Sequence, residues 1–482
     1  MSESATAAAL QPSATPLLKR VRRSVPILVV VLVPIALWFA PLPLELKAHH
    51  AVAVCSFLIL AWITHVIDHG IAGLIGCYLF WALGIVRFDV AFSGFANDSA
   101  WFALAAMLFG IMGGKSGLAR RLASRIILRI GISHSRILLA VILADYLLTF
   151  LIPNGLARVV ILAPVVIGLL QALGLGPGSN IGRGLMLIIT YTATVFDKTI
   201  IAGTAAITAR GFIETLGHAQ VLWSRWFLAF LPSDIVIVLA AWRITLLLFP
   251  QRNASLAGGV SFLNQEIRGM GRWTALEKKS LALILLAAAL WMTDFLHHLP
   301  ASMICIGVVL VAMLPAIGVL DLNDLRQKRY VLLFCFVAAA FGMGEVLKAT
   351  KTLDVLADAL FSASQPLLVR PYVSTLVLYW TGFVSHIFLG SEVSMHAVSM
   401  PLLMNFARAH ALNPLALGMA WTFAGGGKIF VYQSAVLVGG YSYGYFEPKD
   451  LFRLGLALSI VDSIQLVLLV AFYWPLIGLS VT

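Results

Sequence analysis

Apolar positions in this chain run in long unbroken stretches; they neither alternate nor recur on one helical face. Such stretches fall near 25–44, 50–66, 70–88, 99–114, 134–152, 157–173, 184–207, 226–250, 278–297, 301–320, 330–348, 371–389, 394–409, 414–440 and 451–478. Most approach the ~20 residues with which a helix crosses a hydrocarbon layer of ~30 Å. Only helices and closed barrels satisfy the backbone in that medium, and unbroken runs select helices. The pattern predicts an all-α polytopic membrane protein. Two pairs of runs are parted only by short tips, Pro153-Asn154-Gly155 and Gly390-Ser391-Glu392, so each pair reads as a helical hairpin that enters and leaves on one side.

Basic residues orient these elements. They cluster at Lys19–Arg23, Lys115–Arg136, Arg252–Lys279 and Arg326–Arg329, and such clusters mark cytoplasmic loops. With the N-terminus cytoplasmic, every cluster lands on that side for about eleven crossings plus two re-entrant hairpins, with the C-terminus outside. The expected organisation is a disordered cytoplasmic segment over 1–24 and three transmembrane helices over 25–98. A first repeat follows over 99–250, with its hairpin at 134–173 and a broken helix near 198–207. A cytoplasmic linker (251–277) and connecting helices (278–329) lead to a second repeat over 330–482. Its hairpin spans 371–409, and its broken helix lies near 425–436.

Internal correspondence supports the two repeats. Asn154-Gly155-Leu156 lies ten residues before Pro164, and Ser391-Glu392-Val393 lies ten before Pro401. Lys198-Thr-Ile-Ile-Ala-Gly-Thr-Ala matches Lys428-Ile-Phe-Val-Tyr-Gln-Ser-Ala in spacing, and Trp101–Leu122 precedes the first hairpin as Tyr330–Leu356 precedes the second. The charge pattern sets the hairpins on opposite sides, so the repeats are inverted. Inverted repeats with broken helices at mid-bilayer are a transporter signature.

Composition agrees. Hydrophobic residues make up 61% of the 482 and charged residues 11%, against roughly a quarter charged in soluble domains. The net charge of +12 is loop charge, which removes the case for a nucleic-acid partner and leaves lipid and a small solute. Cys55, Cys77, Cys305 and Cys335 lie in apolar runs without ligand spacing and read as small core residues. The sequence offers no metal-ligand set and no nucleophile–base pair, so no enzyme activity and no cofactor are expected.

The chain resembles the divalent anion/sodium symporter family, carriers of dicarboxylates, citrate or sulfate within the wider ion-transporter superfamily. The resemblance covers roughly 99–478 and rests on Gly117-Leu-Ala-Arg-Arg-Leu-Ala, Ile152-Pro-Asn-Gly-Leu-Ala-Arg, Arg225-Trp-Phe-Leu-Ala-Phe-Leu-Pro and Tyr473-Trp-Pro-Leu-Ile-Gly-Leu. It implies an elevator-type secondary transporter in the bacterial inner membrane, acting as a homodimer on a small anionic solute. The family carries a Ser-Asn-Thr triplet at each hairpin tip and a Gly-Thr-Pro-Pro-Asn-like loop in each broken helix. By position, the resemblance assigns substrate contacts to Asn154, Gly155 and Leu156, and to Ser391, Glu392 and Val393. It places the first loop at Gly203-Thr204-Ala205-Ala206-Ile207 and the second near Gln433-Ser434-Ala435. Much of the family's hydroxyl and amide set is therefore replaced.

Charges fill part of that gap. Lys198 and Lys428 hold equivalent repeat positions, each five residues before its loop, with Asp197 beside the first and Glu392 at the second tip. Ionisable groups inside a membrane are costly and mark function by default. The two ammonium groups can act as surrogates for coupling sodium ions, and Glu392 can couple transport to protons; sodium coupling stays open. The structural alternative pairs Lys198 with Asp197 and leaves Lys428 on a carbonyl or headgroup. Arg158, one turn past the first tip, either meets a substrate carboxylate or caps the hairpin. Asp145 lines a water path or pairs with a base. His386 and His396 read as packing residues, Gly425-Gly426-Gly427 as a loosened or closely packed helix, and Asp234, Arg243, Glu345 and Asp462 receive no role. A cation/proton antiporter, a metalloid exporter, a membrane enzyme or lipid-handling protein and a non-transporting membrane protein on the same scaffold are the competing functions.

Overall fold

Each apolar run contains helix in the computed structural model of the chain, which describes residues 16–131, 133–251, 257–361 and 371–480. No strand occurs among the described residues. Of the segment expected to be disordered, residues 1–15 lie outside the described set, and a helix over Pro16–Phe39 takes up the rest. Five helices are long and apolar enough to cross a bilayer: Leu46–Thr64, Gly155–Ala172, Trp223–Leu248, Lys328–Ala349 and Pro448–Leu476. Asp98–Lys115 and Leu118–Ile130 together make a sixth candidate, bent by 63°. The bend falls at Gly117, whose φ of +79° is a left-handed conformation that side chains disfavour.

The basic stretch 115–136, expected as loop, is largely the helix Leu118–Ile130. Arg121 explains why it is ordered. Its guanidinium is buried, bonded to Glu277 at 2.6 Å and to the carbonyls of Gly271 and Met270 at 2.9 and 2.8 Å. The segment 251–277, expected as linker, holds a further helix over Ala257–Gly269.

One order of elements recurs. A long helix (Asp98–Lys115) is followed by a shorter one (Leu118–Ile130), a hairpin (His134–Thr149 and Gly155–Ala172), an interrupted helix (Asn180–Val195 and Thr204–Thr215) and a long helix (Trp223–Leu248). The second half repeats this with Lys328–Ala349, Thr352–Phe361, Pro371–Leu389 with Glu392–Ala409, Pro414–Ala424 with Ala435–Tyr441, and Pro448–Leu468. Lys328–Ala349 packs on the early helix His69–Ala82 through glycine: a Cβ on Gly70 would stand 2.3 Å from the Leu332 carbonyl oxygen. Small residues allow such close approach where lipid cannot drive helices together. All four cysteines are free and buried.

Candidate functional site

The first hairpin turns at Leu151–Asn154. Proline disfavours helix in the residue before it, so the chain leaves helix ahead of Pro153 and restarts at Gly155, where Asn154 Oδ1 accepts the Ala157 amide at 3.0 Å. Gly155 lies against the end of the neighbouring helix, where a Cβ would come within 2.3 Å of the Ala193 carbonyl oxygen. Arg158 points back from the tip and is fully buried. It donates to Asp145 Oδ1 (2.9 Å), Ile152 O (2.9 Å), Ala193 O (2.8 Å) and Asp197 Oδ1 (2.9 Å). Arg158 therefore clamps the hairpin onto the first broken helix, the second of the two roles the sequence left open for it. Asp145 is its partner, the pairing the sequence offered as one of two roles.

The first interruption runs from Phe196 to Gly203, with a single 3₁₀ turn at Phe196–Lys198. It lies earlier than expected: Thr204 to Ile207 form the first turn of the resumed helix, and Gly203 caps it. Asp197 and Lys198 thus stand inside the break and diverge. Asp197 faces Arg158 and not Lys198, so the alternative Lys198–Asp197 pair does not form. Lys198 Nζ lies 3.5 Å from Asp462 Oδ2 and 4.0 Å above the centre of the Phe423 ring. Asp462 thereby gains a structural role, and so does Asp234, which accepts the Tyr146 hydroxyl at 3.0 Å.

The second tip is made by Gly390, whose φ of +60° ends the helix Pro371–Leu389, and by Ser391, which starts Glu392–Ala409. Glu392 Oε1 accepts from Lys428 Nζ. The second interruption separates Ala424 from Ala435 and is folded by Gln433, whose Oε1 accepts the amides of Ile429 and Phe430 at 2.7 and 2.8 Å. Ser434 caps the resumed helix through the Val436 amide at 3.2 Å. Lys428 lies within this break. The glycine run serves close packing: a Cβ on Gly426 would sit 2.1 Å from Lys198 Nζ.

Tips and breaks meet around one cavity of about 880 Å³. Asn154, Gly155 and Leu156 line it from the first tip; Ser391, Glu392 and Val393 from the second. Asp197 and Thr204 reach it from the first break, and Lys428, Gln433, Ser434 and Ala435 from the second. Arg158, Gly203 and Lys198 are not on its wall. The same cavity is lined by residues that sequence reasoning missed, among them His65, His69, Met107 and Arg329. Arg329 belongs to a basic cluster read only as an orientation signal, and its position on the cavity had no separate mark in the sequence. With Asp68 and Lys328, the two histidines and Arg329 also line an adjoining chamber of about 610 Å³. Neither His386 nor His396 lines the cavity. His396 Nδ1 contacts the Ala205 carbonyl at 3.1 Å, and His386 is sealed. Among the described residues there is no cluster of His, Cys, Asp and Glu fit to hold a metal ion.

Residues 20–480 match the family profile of the sodium:sulfate symporter transmembrane region. A membrane protein of Cupriavidus necator is 23% identical over 91% of this chain and 89% of its own length. The Escherichia coli K12 L-tartrate/succinate antiporter is 25% identical over 80% of each chain, and the citrate/succinate antiporter of the same organism 22% identical over 80% of each. Among solved structures, the Alcanivorax borkumensis YdaH transporter superposes with a TM-score of 0.56 at 16% identity, covering 87% of this chain and 99% of its own. Neisseria gonorrhoeae MtrF, of a class of antimetabolite efflux pumps, gives 0.54 at 14% identity, with 93% and 94% covered. These last two likenesses concern the fold alone. With a profile matched along nearly its whole length, the chain belongs to the sodium:sulfate symporter family and is an integral membrane transport protein, not an enzyme.

Proposed function

We propose that this protein is a secondary transporter of a small dicarboxylate, working by alternating access of a hairpin-bearing domain against a fixed scaffold. One observation carries the reading: Gly155–Ala172, Thr204–Thr215, Glu392–Ala409 and the short Ala435–Tyr441 all begin on the wall of the same cavity. A helix start presents N–H groups without intrahelical partners and a partial positive charge, and so favours an anion. Lys428 and Arg329 add full positive charge to that wall. The names of the antiporter relatives, tartrate, succinate and citrate, supply the solute class.

In this reading the two halves are inverted repeats, with about eleven crossings plus the two hairpins. The N-terminus is cytoplasmic, the C-terminus outside, and the membrane the bacterial inner one. The recurring element order and the basic clusters support that arrangement. His65, Lys328 and Arg329 then fall on the cytoplasmic side, so the cavity and its adjoining chamber open inward. Transport is independent of sodium. The tip residues Gly155, Leu156, Glu392 and Val393 replace hydroxyl and amide ligands, and the Lys428 ammonium supplies positive charge between the halves. Lys198 takes no part in this, since Asp462 already neutralises it out of reach of the cavity.

Purified protein in liposomes tests the proposal by uptake of labelled succinate and L-tartrate, with and without a sodium gradient and with unlabelled dicarboxylate inside. Uptake is expected without sodium and accelerated by internal dicarboxylate. Strict sodium dependence overturns the sodium-free mechanism, and absence of any dicarboxylate movement overturns the substrate class.

A further inference from the structure

The buried charges do not balance: Asp234, off the cavity wall, has the Tyr146 hydroxyl and no ion pair among the described residues, and a second excess acid lies on the cavity wall itself. Lys428 is engaged by Glu392, and Lys198 by Asp462. Arg158, in contrast, serves two acids: Nε holds Asp145 and Nη2 holds Asp197, each at 2.9 Å. One guanidinium neutralises one carboxylate, so one acid of this triad is in excess. Asp145 and Arg158 are completely enclosed, whereas the Asp197 side chain keeps 21% of its surface exposed and lines the cavity. An uncompensated carboxylate away from water is expensive, and a proton is the simplest partner that can remove the cost. Only Asp197 can exchange that proton with water through the cavity.

Resting on the dicarboxylate reading, we propose that Asp197 is the proton-coupling group of this transporter: it is protonated when the dianion binds and when the hairpin domain moves, and it exchanges its proton with water when the cavity is open. The neighbourhood favours this assignment. Facing Asp197 are Arg158 from the first hairpin, with Asp145 behind it, and Glu392 and Lys428 from the second tip and break. The adjoining Lys198 points away to Asp462. On the flanking helices Asn180–Val195 and Thr204–Thr215, Arg183 is bound to Asp450, and Arg210 to Asp98 and Glu214. No second base forms an ion pair with Asp197 among the described residues. A substrate dianion entering between the helix starts meets a negative charge at Asp197 unless the proton is bound, so proton and anion occupancy favour one another. This reciprocity is the thermodynamic content of symport.

The test uses the full chain in liposomes loaded with the pH dye pyranine, with L-tartrate as probe because its carboxyls titrate well below the range from about pH 6 to pH 8. Tartrate entry is expected to acidify the lumen of wild-type vesicles. Its initial rate should fall by up to about tenfold per pH unit on the alkaline side of the coupling group. D197N, a near-isosteric neutral group, is expected to abolish both the acidification and the pH dependence, while D145N, which leaves Arg158 to Asp197 alone, is expected to move the pH dependence to lower pH. In parallel, wild-type protein treated with dicyclohexylcarbodiimide, which attacks protonated carboxyls in apolar settings, should be labelled at Asp197 by mass spectrometry, less so at high pH or with tartrate present. That measurement decides the assignment even where a variant fails to fold. Tartrate entry without proton movement, proton movement that survives in D197N, or labelling at Asp145 or Glu392 instead overturns the proposal. Absence of dicarboxylate transport at every pH strikes the function itself, a separate outcome.

Discussion

Replacing Gly155 by alanine adds a single methyl group at the first tip, and the structure fixes what that methyl meets. Its Cβ would lie 2.3 Å from the Ala193 carbonyl oxygen, 3.1 Å from the Ala193 carbonyl carbon and 3.0 Å from Asp197 Oδ2. Two of these atoms are backbone at the end of a buried helix, so the tip must withdraw by roughly 1 Å to restore ordinary contact. Arg158 spans the same gap, with bonds of 2.8 Å to Ala193 O and 2.9 Å to Asp197, and both stretch beyond useful length on that retreat. Charged hydrogen bonds contribute about 1.5–3 kcal/mol each. Alanine's helix preference over glycine returns about 0.5–1 kcal/mol. The expected net loss is about 2–5.5 kcal/mol, read as a lower midpoint of thermal unfolding in detergent and as weaker stabilisation by L-tartrate. A G155A protein with the wild-type midpoint and tartrate response would refute the claim that the tip is clamped to the helix end.

Other outcomes follow from the same geometry. K428Q removes a charged donor from the cavity and leaves Glu392 unpaired, so tartrate affinity should fall by roughly 10- to 150-fold, equivalent to about 1.5–3 kcal/mol, in a ligand-dependent thermal-shift titration. K198A strands Asp462 in the interior and should cost about 3–5 kcal/mol of stability, whereas the double change K198M/D462L should recover most of it; equal loss in both makes the pair unimportant. R158K keeps the charge but not the fork that reaches Asp145, Asp197 and three carbonyls, so destabilisation close to that of removing the side chain is expected. G426A crowds Lys198 Nζ and should lower the unfolding midpoint by an amount corresponding to about 1–3 kcal/mol of overpacking, with tartrate-induced stabilisation retained because neither residue lines the cavity.

The hairpins were legible because their signals are local. Pro153 and Gly390 interrupt apolar runs with residues that helices reject, and the observed arms match the expected ranges closely. The breaks were less legible. Phe196 to Gly203 contains two isoleucines and no proline, and the contacts that accompany the break are tertiary: Asp197 is held by Arg158, Lys198 by Asp462, and the Trp226 indole donates to the Lys198 carbonyl at 2.9 Å. For the same reason the loop inherited from the family pattern came several residues late. Arg158 shows the limit of reading one residue beside a motif. Proximity to the tip suggested a substrate contact, but its partners lie 13 and 39 residues away in the chain. The charge clusters hid structure, since the stretch with Arg120, Arg121, Arg125 and Arg129 is an ordered helix.

Lys198 and Lys428 show why equivalent positions in two halves need not share a role. Two residues before Lys428 the chain has Gly426, and the space left by its missing side chain receives the Lys198 ammonium beside the Phe423 ring. Two residues before Lys198 the corresponding position is Phe196, a buried ring packed edge-on against Tyr146 at 5.0 Å between centroids. No reciprocal socket exists for Lys428, so its ammonium turns to Glu392 at the cavity. A glycine in one half and a phenylalanine in the other thus set the two lysines apart: one ties the halves together and the other faces the cavity. That division leaves a single ammonium on the wall contributed by the two halves, balanced by Glu392, and so leaves the neighbouring Asp197 without a base of its own.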